Sequence, residues 1–203
     1  APLDGRIRIN TESLTWLELF SPDIVEPRGR LDAALTLSGT RAAPALGGNG
    51  QLSAFTADLP ALGITLREGD VRMEAQPDGT ARIVGLVRSG DGVLRVDGTL
   101  GWLSDDTPLR LSIHGGNVLV SDTRELRAVI DPDVEVRYAA GQPITVNGRV
   151  RVASAMMNLE GLSEGVSASP DVVVLDPANP ERTGSTPLDM DLVLEMGDDV
   201  QLR

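Results

Sequence analysis

Gly161-Leu-Ser-Glu-Gly165 has the letters of the Gly-x-Ser-x-Gly elbow that lifts a nucleophilic serine between a strand and a helix. Acyl transfer at such an elbow needs a histidine base later in the chain and α/β alternation around the serine. The single histidine, His114, precedes Ser163, and no α/β alternation surrounds the motif. Ser163 therefore reads as a turn residue. His114 stands alone beside Gly115-Gly116, which rules out a multi-histidine metal site and reads as a strand end. Asp105-Asp106 and Asp198-Asp199 supply oxygens without the loop spacing of a calcium motif, so they read as solvated turns. Asp189, Asp191 and Glu195 alternate with Leu188, Met190, Leu192, Leu194 and Met196, and keep one side of a strand wet. A phosphate-cradling loop with its lysine cannot exist in a chain that has no lysine. The expectation is a protein without catalysis, metal or cofactor.

The elements that would carry any such group are strands. Leu31, Ala33, Leu35 and Leu37 fall on one side of an extended segment, and Asp32, Ala34 and Thr36 on the other. The same period of two returns at Leu62/Ile64/Leu66, Val71/Met73/Ala75, Leu94/Val96, Leu109/Leu111/Ile113, Ile144/Val146, Val150/Val152 and Leu188/Met190/Leu192/Leu194. Turn chemistry separates these runs at Ser38-Gly-Thr40, Gly47-Gly-Asn-Gly50, Glu68-Gly-Asp70, Asp78-Gly79, Ser89-Gly-Asp-Gly92, Gly115-Gly-Asn117 and Gly141-Gln-Pro143. The pattern predicts an all-β meander of antiparallel strands. Ile7 and Ile9 open it with a short strand. Thr11 to Phe20 reads as a short helix stopped by Ser21-Pro22, from the helical spacing of Leu14, Trp16, Leu17 and Phe20.

One domain is expected over residues 1–203. Its parts are a strand and helix (1–30), the meander (31–175), a breaker-rich mobile loop (176–187) and a further strand (188–203). The chain reads as a piece of something longer.

Composition narrows function further. Net charge is -12 and all 18 basic residues are arginine, a balance that excludes a nucleic-acid partner and disfavours an anionic membrane surface. There is no cysteine, and no run approaches the roughly 18 apolar residues of a membrane helix. Apolar content is 41%, yet aromatics make up only 2%. An outer-membrane barrel, which needs aromatic girdles, does not fit. A β-sandwich hiding one face per strand remains open, as does an open curved sheet with a lined groove.

Gly29-Arg-Leu-Asp-Ala-Ala-Leu-Thr-Leu-Ser-Gly-Thr40 with Pro44-Ala-Leu-Gly47, then 62–73, 85–98, 144–152 and the closing Pro187-Leu-Asp-Met-Asp-Leu-Val-Leu-Glu-Met-Gly-Asp-Asp-Val200, resembles the TamB C-terminal region of the AsmA-like superfamily. The likeness covers nearly the whole chain. Where that family commonly has proline after the Val150/Val152 strand, this chain has Ala153.

The resemblance implies a β-taco: an elongated sheet folded lengthwise, polar outside, with an apolar interior groove. It also implies a periplasmic segment of an inner-membrane-anchored protein, the anchor lying outside this chain. The family is associated with phospholipid transport to the outer membrane and with outer-membrane protein assembly beside an Omp85-type, TamA-like partner. On that reading phospholipid acyl chains lie along Leu31, Leu35, Leu37, Leu62, Ile64, Leu66, Val71, Met73, Leu94, Val96, Leu109, Leu111 and Ile113. The lining continues through Val118, Val120, Val134, Val136, Ile144, Val146, Val150, Val152, Leu188, Met190, Leu192 and Leu194. Two other readings stand beside it. A sheet edge that pairs with a partner strand makes a docking module, and a closed sandwich makes a plain spacer.

Overall fold

Alternating segments this short and this numerous have one economical solution, which is to hydrogen-bond side by side with all their aliphatic side chains on one face. The computed structural model describes residues 2–19, 23–41, 43–76, 78–102, 107–158 and 188–202. Its strands are β1 (Gly5–Ser13), β2 (Val25–Thr40), β3 (Ala43–Leu59), β4 (Ile64–Ala75), β5 (Thr80–Ser89) and β6 (Gly92–Gly101). They continue with β7 (Leu109–Gly116), β8 (Val118–Asp122), β9 (Leu126–Tyr138), β10 (Ile144–Met157) and β11 (Leu188–Leu202). All eleven form a single open sheet in sequence order, with β7 and β8 both pairing with β9. The chain is one curved all-β layer rather than a sandwich.

Turn chemistry accounts for the tight connections. In Asp78-Gly79 the Asp78 carboxylate accepts from the Thr80 amide at 3.0 Å and from its hydroxyl at 2.7 Å, which closes the β4–β5 hairpin. The expected turns at Ser89–Gly92 and 141–143 also separate strands. Gly115–Asn117 likewise falls at the break between β7 and β8, though both strands pair antiparallel with β9 and so run in the same direction. Two others do not separate strands: Gly47–Gly50 lies inside β3 and Glu68–Asp70 inside β4. One pairing also departs from the meander, because β11 runs parallel to β10. The short helix is a 3₁₀ turn over Thr15–Leu19, while Thr11 to Ser13 extend β1. Phe20, Asp105-Asp106, the Gly161–Gly165 motif and the 176–187 loop lie outside the described residues.

Glu68–Asp70 and Gly115–Asn117 share a cause, whereas Gly47–Gly50 lies in a ladder without a register shift. Register shifts fall between Thr11 and Ser13 in β1, on both sides of Arg28 in β2, between Leu52 and Ala57 in β3, and between Arg67 and Asp70 in β4. They resume at Gly115–Asn117, and at Ala153 in β10 opposite Gly197-Asp198 in β11. The β5–β6 pair runs without a shift, because its own turn sits at this level. Together the bulges form a crease across the sheet. A bulge adds a residue, bends the strand and commonly uses φ > 0, so its residues are turn residues. Glu26, Ala54, Glu68 and Asn117 all have positive φ near 50°. Ala153 forms its bulge without a proline.

The crease also explains Asp131-Pro132. The β7–β9 ladder ends at Asp133 and the β8–β9 ladder resumes at Ile130. Proline is thus placed where a ladder partner is missing. The Asp131 carboxylate fills the gap by accepting from the Asn117 amide at 2.7 Å.

Beyond the crease the strand ends and β8 form a small packed end. The Ser89 hydroxyl donates to the Leu119 carbonyl at 2.6 Å, tying β8 over the β5–β6 turn. The buried aliphatic side chains among the described residues are Leu14, Ala57, Ile64, Ala81, Val118 and Ala128, and all but Ala81 belong to this end. Half of them are alanine, so the core is thin.

Left-handed backbone costs an L-residue about 1–2 kcal/mol and costs glycine nothing comparable. Ala54→Gly is therefore expected to stabilise the fold by up to about 1 kcal/mol, and Ala54→Val to destabilise it. Urea unfolding followed by far-ultraviolet circular dichroism measures both.

Candidate functional site

Following the register sideways shows what the alternation builds. One row passes through Ile9, Ala33, Gly50, Met73, Ile83, Gly98, Leu111, Val136, Val146 and Met190. The next passes through Thr11, Leu31, Leu52, Val71, Gly85, Val96, Ile113, Val134, Gly148 and Leu192. Ten strands at about 4.8 Å spacing make each row about 43 Å long. Apart from Thr11 at the β1 edge, both rows consist of aliphatic side chains, methionine and glycine, with no carboxylate or guanidinium in either.

Glycines in the rows are covered by neighbours rather than left as holes. A Cβ on Gly98 would stand 2.7 Å from Leu111 Cδ2 and 2.1 Å from the Arg110 carbonyl oxygen. The Leu111 side chain thus lies over the gap and keeps the row smooth.

Most of the sequence-derived lining falls on this face. Leu35 and Leu37 continue it on β2, opposite Ile7 and Gly5. Leu94 faces Gly115, and Leu109 pairs with Leu100 and Tyr138. Ile144 pairs with Leu188, Val150 with Leu194, and Val152 with Met196. Five residues sit elsewhere. Leu62 belongs to a 3₁₀ turn, Pro60–Leu62, because Pro60 and the left-handed Gly63 end the strand pattern there. Ile64 and Val118 are buried in the packed end beyond the crease, and Leu66 lies on that same side, opposite Ser89. Val120 falls at a register shift of β8. Sequence reading missed Leu52, Ile83, Leu100 and Ile130, whose place on the face follows only from their register partners.

Solvent reaches this face. Its residues are half-buried in mid-sheet and most exposed at the edges, with Ile7 at 58% and Leu194 at 62%. Large aliphatic side chains left open to water in a contiguous band mark a binding surface more often than an accident of folding.

The opposite face is polar and held by ion pairs between exposed groups: Arg82 with Asp97 at 3.1 Å, Arg88 with Glu68 at 2.7 Å and Arg149 with Glu195 at 2.9 Å. Arg30 is bonded to Glu12, which raises its pKa further above the usual arginine range. Each such exposed pair adds little to stability. His114 lies here, its Nδ1 2.9 Å from Asp133. No group of three or more His, Asp or Glu suited to a metal occurs among the described residues. Ser163 lies outside them.

A one-layer sheet with an aliphatic face open to water and a polar back defines a class of protein whose working part is a surface rather than a pocket of reactive groups. Residues 80–203, which comprise β5 through β11, match the TamB C-terminal domain family. The chain belongs to that family, and thereby to the proteins of envelope biogenesis. No solved structure matches it. No helix among the described residues is long and apolar enough to cross a membrane.

If the aliphatic face is a surface rather than a core, truncating it is inexpensive. Leu14→Ala, at a fully buried site, is expected to cost about 2–5 kcal/mol, and Leu194→Ala less than about 1 kcal/mol. Denaturant midpoints of the two variants check this.

Proposed function

We propose that the aliphatic face is a non-catalytic passage for phospholipid acyl chains between the inner and outer membranes of a cell envelope, with this chain as its periplasmic segment. The observation that carries the reading is the pair of unbroken rows through Leu111 and Ile113. Moving a tail through water exposes its methylenes at about 0.8 kcal/mol each. A continuous aliphatic strip offsets that cost at every step. Because the rows contain no charged group, they hold a tail without fixing its position or selecting its headgroup. The near absence of bulky rings keeps the face shallow and passable.

The charge of the outer face supports the same reading. A chain with net charge -12 is repelled by anionic headgroups. Contact with lipid is thereby confined to the face that lacks charge.

A second reading concerns the edge of the sheet. β11 is the last strand of the path, and Leu188, Met190, Val193, Leu194 and Met196 are each more than half exposed. Among the described residues nothing pairs with the outer edge of β11, and an edge of this length offers a template to a partner strand. An Omp85-type barrel is the partner that this reading assigns. Proline scanning of β11 separates the two roles, since it removes ladder donors and leaves the aliphatic face intact.

Arginine placed in a row tests the passage directly. Leu94→Arg and Leu111→Arg are expected to reduce phospholipid co-purifying with the chain by about tenfold or more, with the circular dichroism spectrum unchanged. Lipid extraction and mass spectrometry measure it. Normal lipid content in both folded variants rejects the passage.

A further inference from the structure

β5 does not follow the rule of its neighbours. Where the other long strands alternate, β5 runs Ile83-Val84-Gly85-Leu86-Val87 without a polar residue. Continuous aliphatic runs are the mark of strands covered on both faces. Ile83, Gly85 and Val87 belong to the aliphatic rows, opposite Gly98, Val96 and Leu94. Val84 and Leu86 therefore point to the polar back of the sheet, where they are 42% and 41% exposed. Their neighbours across the ladder are polar: Arg72 and Asp97 beside Val84, Asp70 and Arg95 beside Leu86. A depression of about 550 Å³ lies over the two side chains, bordered by Arg72, Arg95, Asp97 and His114.

The charges around it are unequal. Asp70 is engaged by Arg72 at 3.3 Å, Asp97 by Arg82 at 3.1 Å, and Asp133 by His114 at 2.9 Å. Arg95 makes no ion pair among the described residues. Each nearby carboxylate is thus taken, and one guanidinium at the rim of an aliphatic floor is not.

We propose that this depression is a docking site for a polypeptide segment that presents two aliphatic side chains flanked by carboxylates. The floor decides against a lipid tail. Val84 and Leu86 are two residues apart, about 7 Å along the strand, whereas an acyl chain spans half of a bilayer core, about 15 Å. Arg95 selects the charge, because a guanidinium beside an apolar floor binds a carboxylate in a partly dry setting. A second copy of this chain is disfavoured, since each carries a net charge of -12. The site faces away from the rows and works independently of any passage there.

The test uses the 203-residue chain and a fluorescein-labelled peptide, Gly-Asp-Leu-Ser-Val-Asp-Gly, in which leucine and valine share one side when extended. Anisotropy titration is expected to show saturable binding that weakens with salt. Arg95→Gln and Leu86→Ser, both at exposed positions, each weaken it by about tenfold. Leu111→Ser, on the opposite face, leaves it unchanged. A peptide with lysine in place of both aspartates does not bind. The proposal is overturned if the lysine peptide binds equally, if neither back-face variant weakens binding, or if Leu111→Ser abolishes it. It is also overturned if no peptide binds while phosphatidylglycerol vesicles do so through Arg95.

Discussion

The main-chain ladder is what the rest of this structure depends on. A domain of ordinary design draws most of its stability from a core between two layers, and here there is one layer and a small packed end. Six aliphatic residues are buried among those described, three of them alanine. Stability must then come from strands bonded to neighbours on both sides and from side chains that meet across the ladder, each such pair contributing about 0.2–1 kcal/mol. Such a structure has no tolerance for register error, since a slip by one residue exchanges the two faces of a strand. Alignment of the bulges across β1 to β4 and β7 to β11 is how register and bend are kept together. The bulges fall at one level in neighbouring strands, so the bend runs across the sheet while the ladders resume on its far side.

Much of this could be read from residues alone, and the limits of the reading are physical. Leu31–Leu37 and Leu109–Ile113 declared their strands because alternation is a local property. Asp78-Gly79 declared its hairpin because an aspartate that bonds the next strand's first amide needs no distant partner. Glu68-Gly69-Asp70 and Gly115-Gly-Asn117 were legible as departures from extended backbone, but not as bulges. Turns and bulges both need φ > 0 and draw on the same residues, and the difference lies in whether the next strand continues onward or returns. The parallel course of β11 was equally hidden, since strand direction is set by where a long connection returns. Of the aliphatic face, Val96, Leu111, Val134 and Val146 could be placed by alternation. Leu52, Ile83 and Ile130 could not, because their membership depends on which residue stands opposite.

Separation of chemistry between the two faces connects the fold to its function. The aliphatic rows have no group that would anchor a headgroup or arrest a tail. The back carries the charge of the molecule in exposed, paired form. At β5 the division is broken, where Val84 and Leu86 bring aliphatic surface to the polar side beside Arg95, which makes no ion pair among the described residues. That break gives the back of the sheet a place with its own specificity. A single thin layer can thus offer lipid-like chemistry on one side and protein-like recognition on the other, a few ångströms apart through the backbone.

The central claim is that the aliphatic face receives acyl chains and the back does not. Ile113 and Ser112 are adjacent in β7 and point to opposite faces, so a photo-crosslinking residue at each position compares the two within one strand. Native mass spectrometry of the irradiated chain, purified with its co-extracted lipid, reads the outcome. Phospholipid adducts at position 113 and none at 112 are the predicted result. Adducts at neither position, or at both equally, would contradict it.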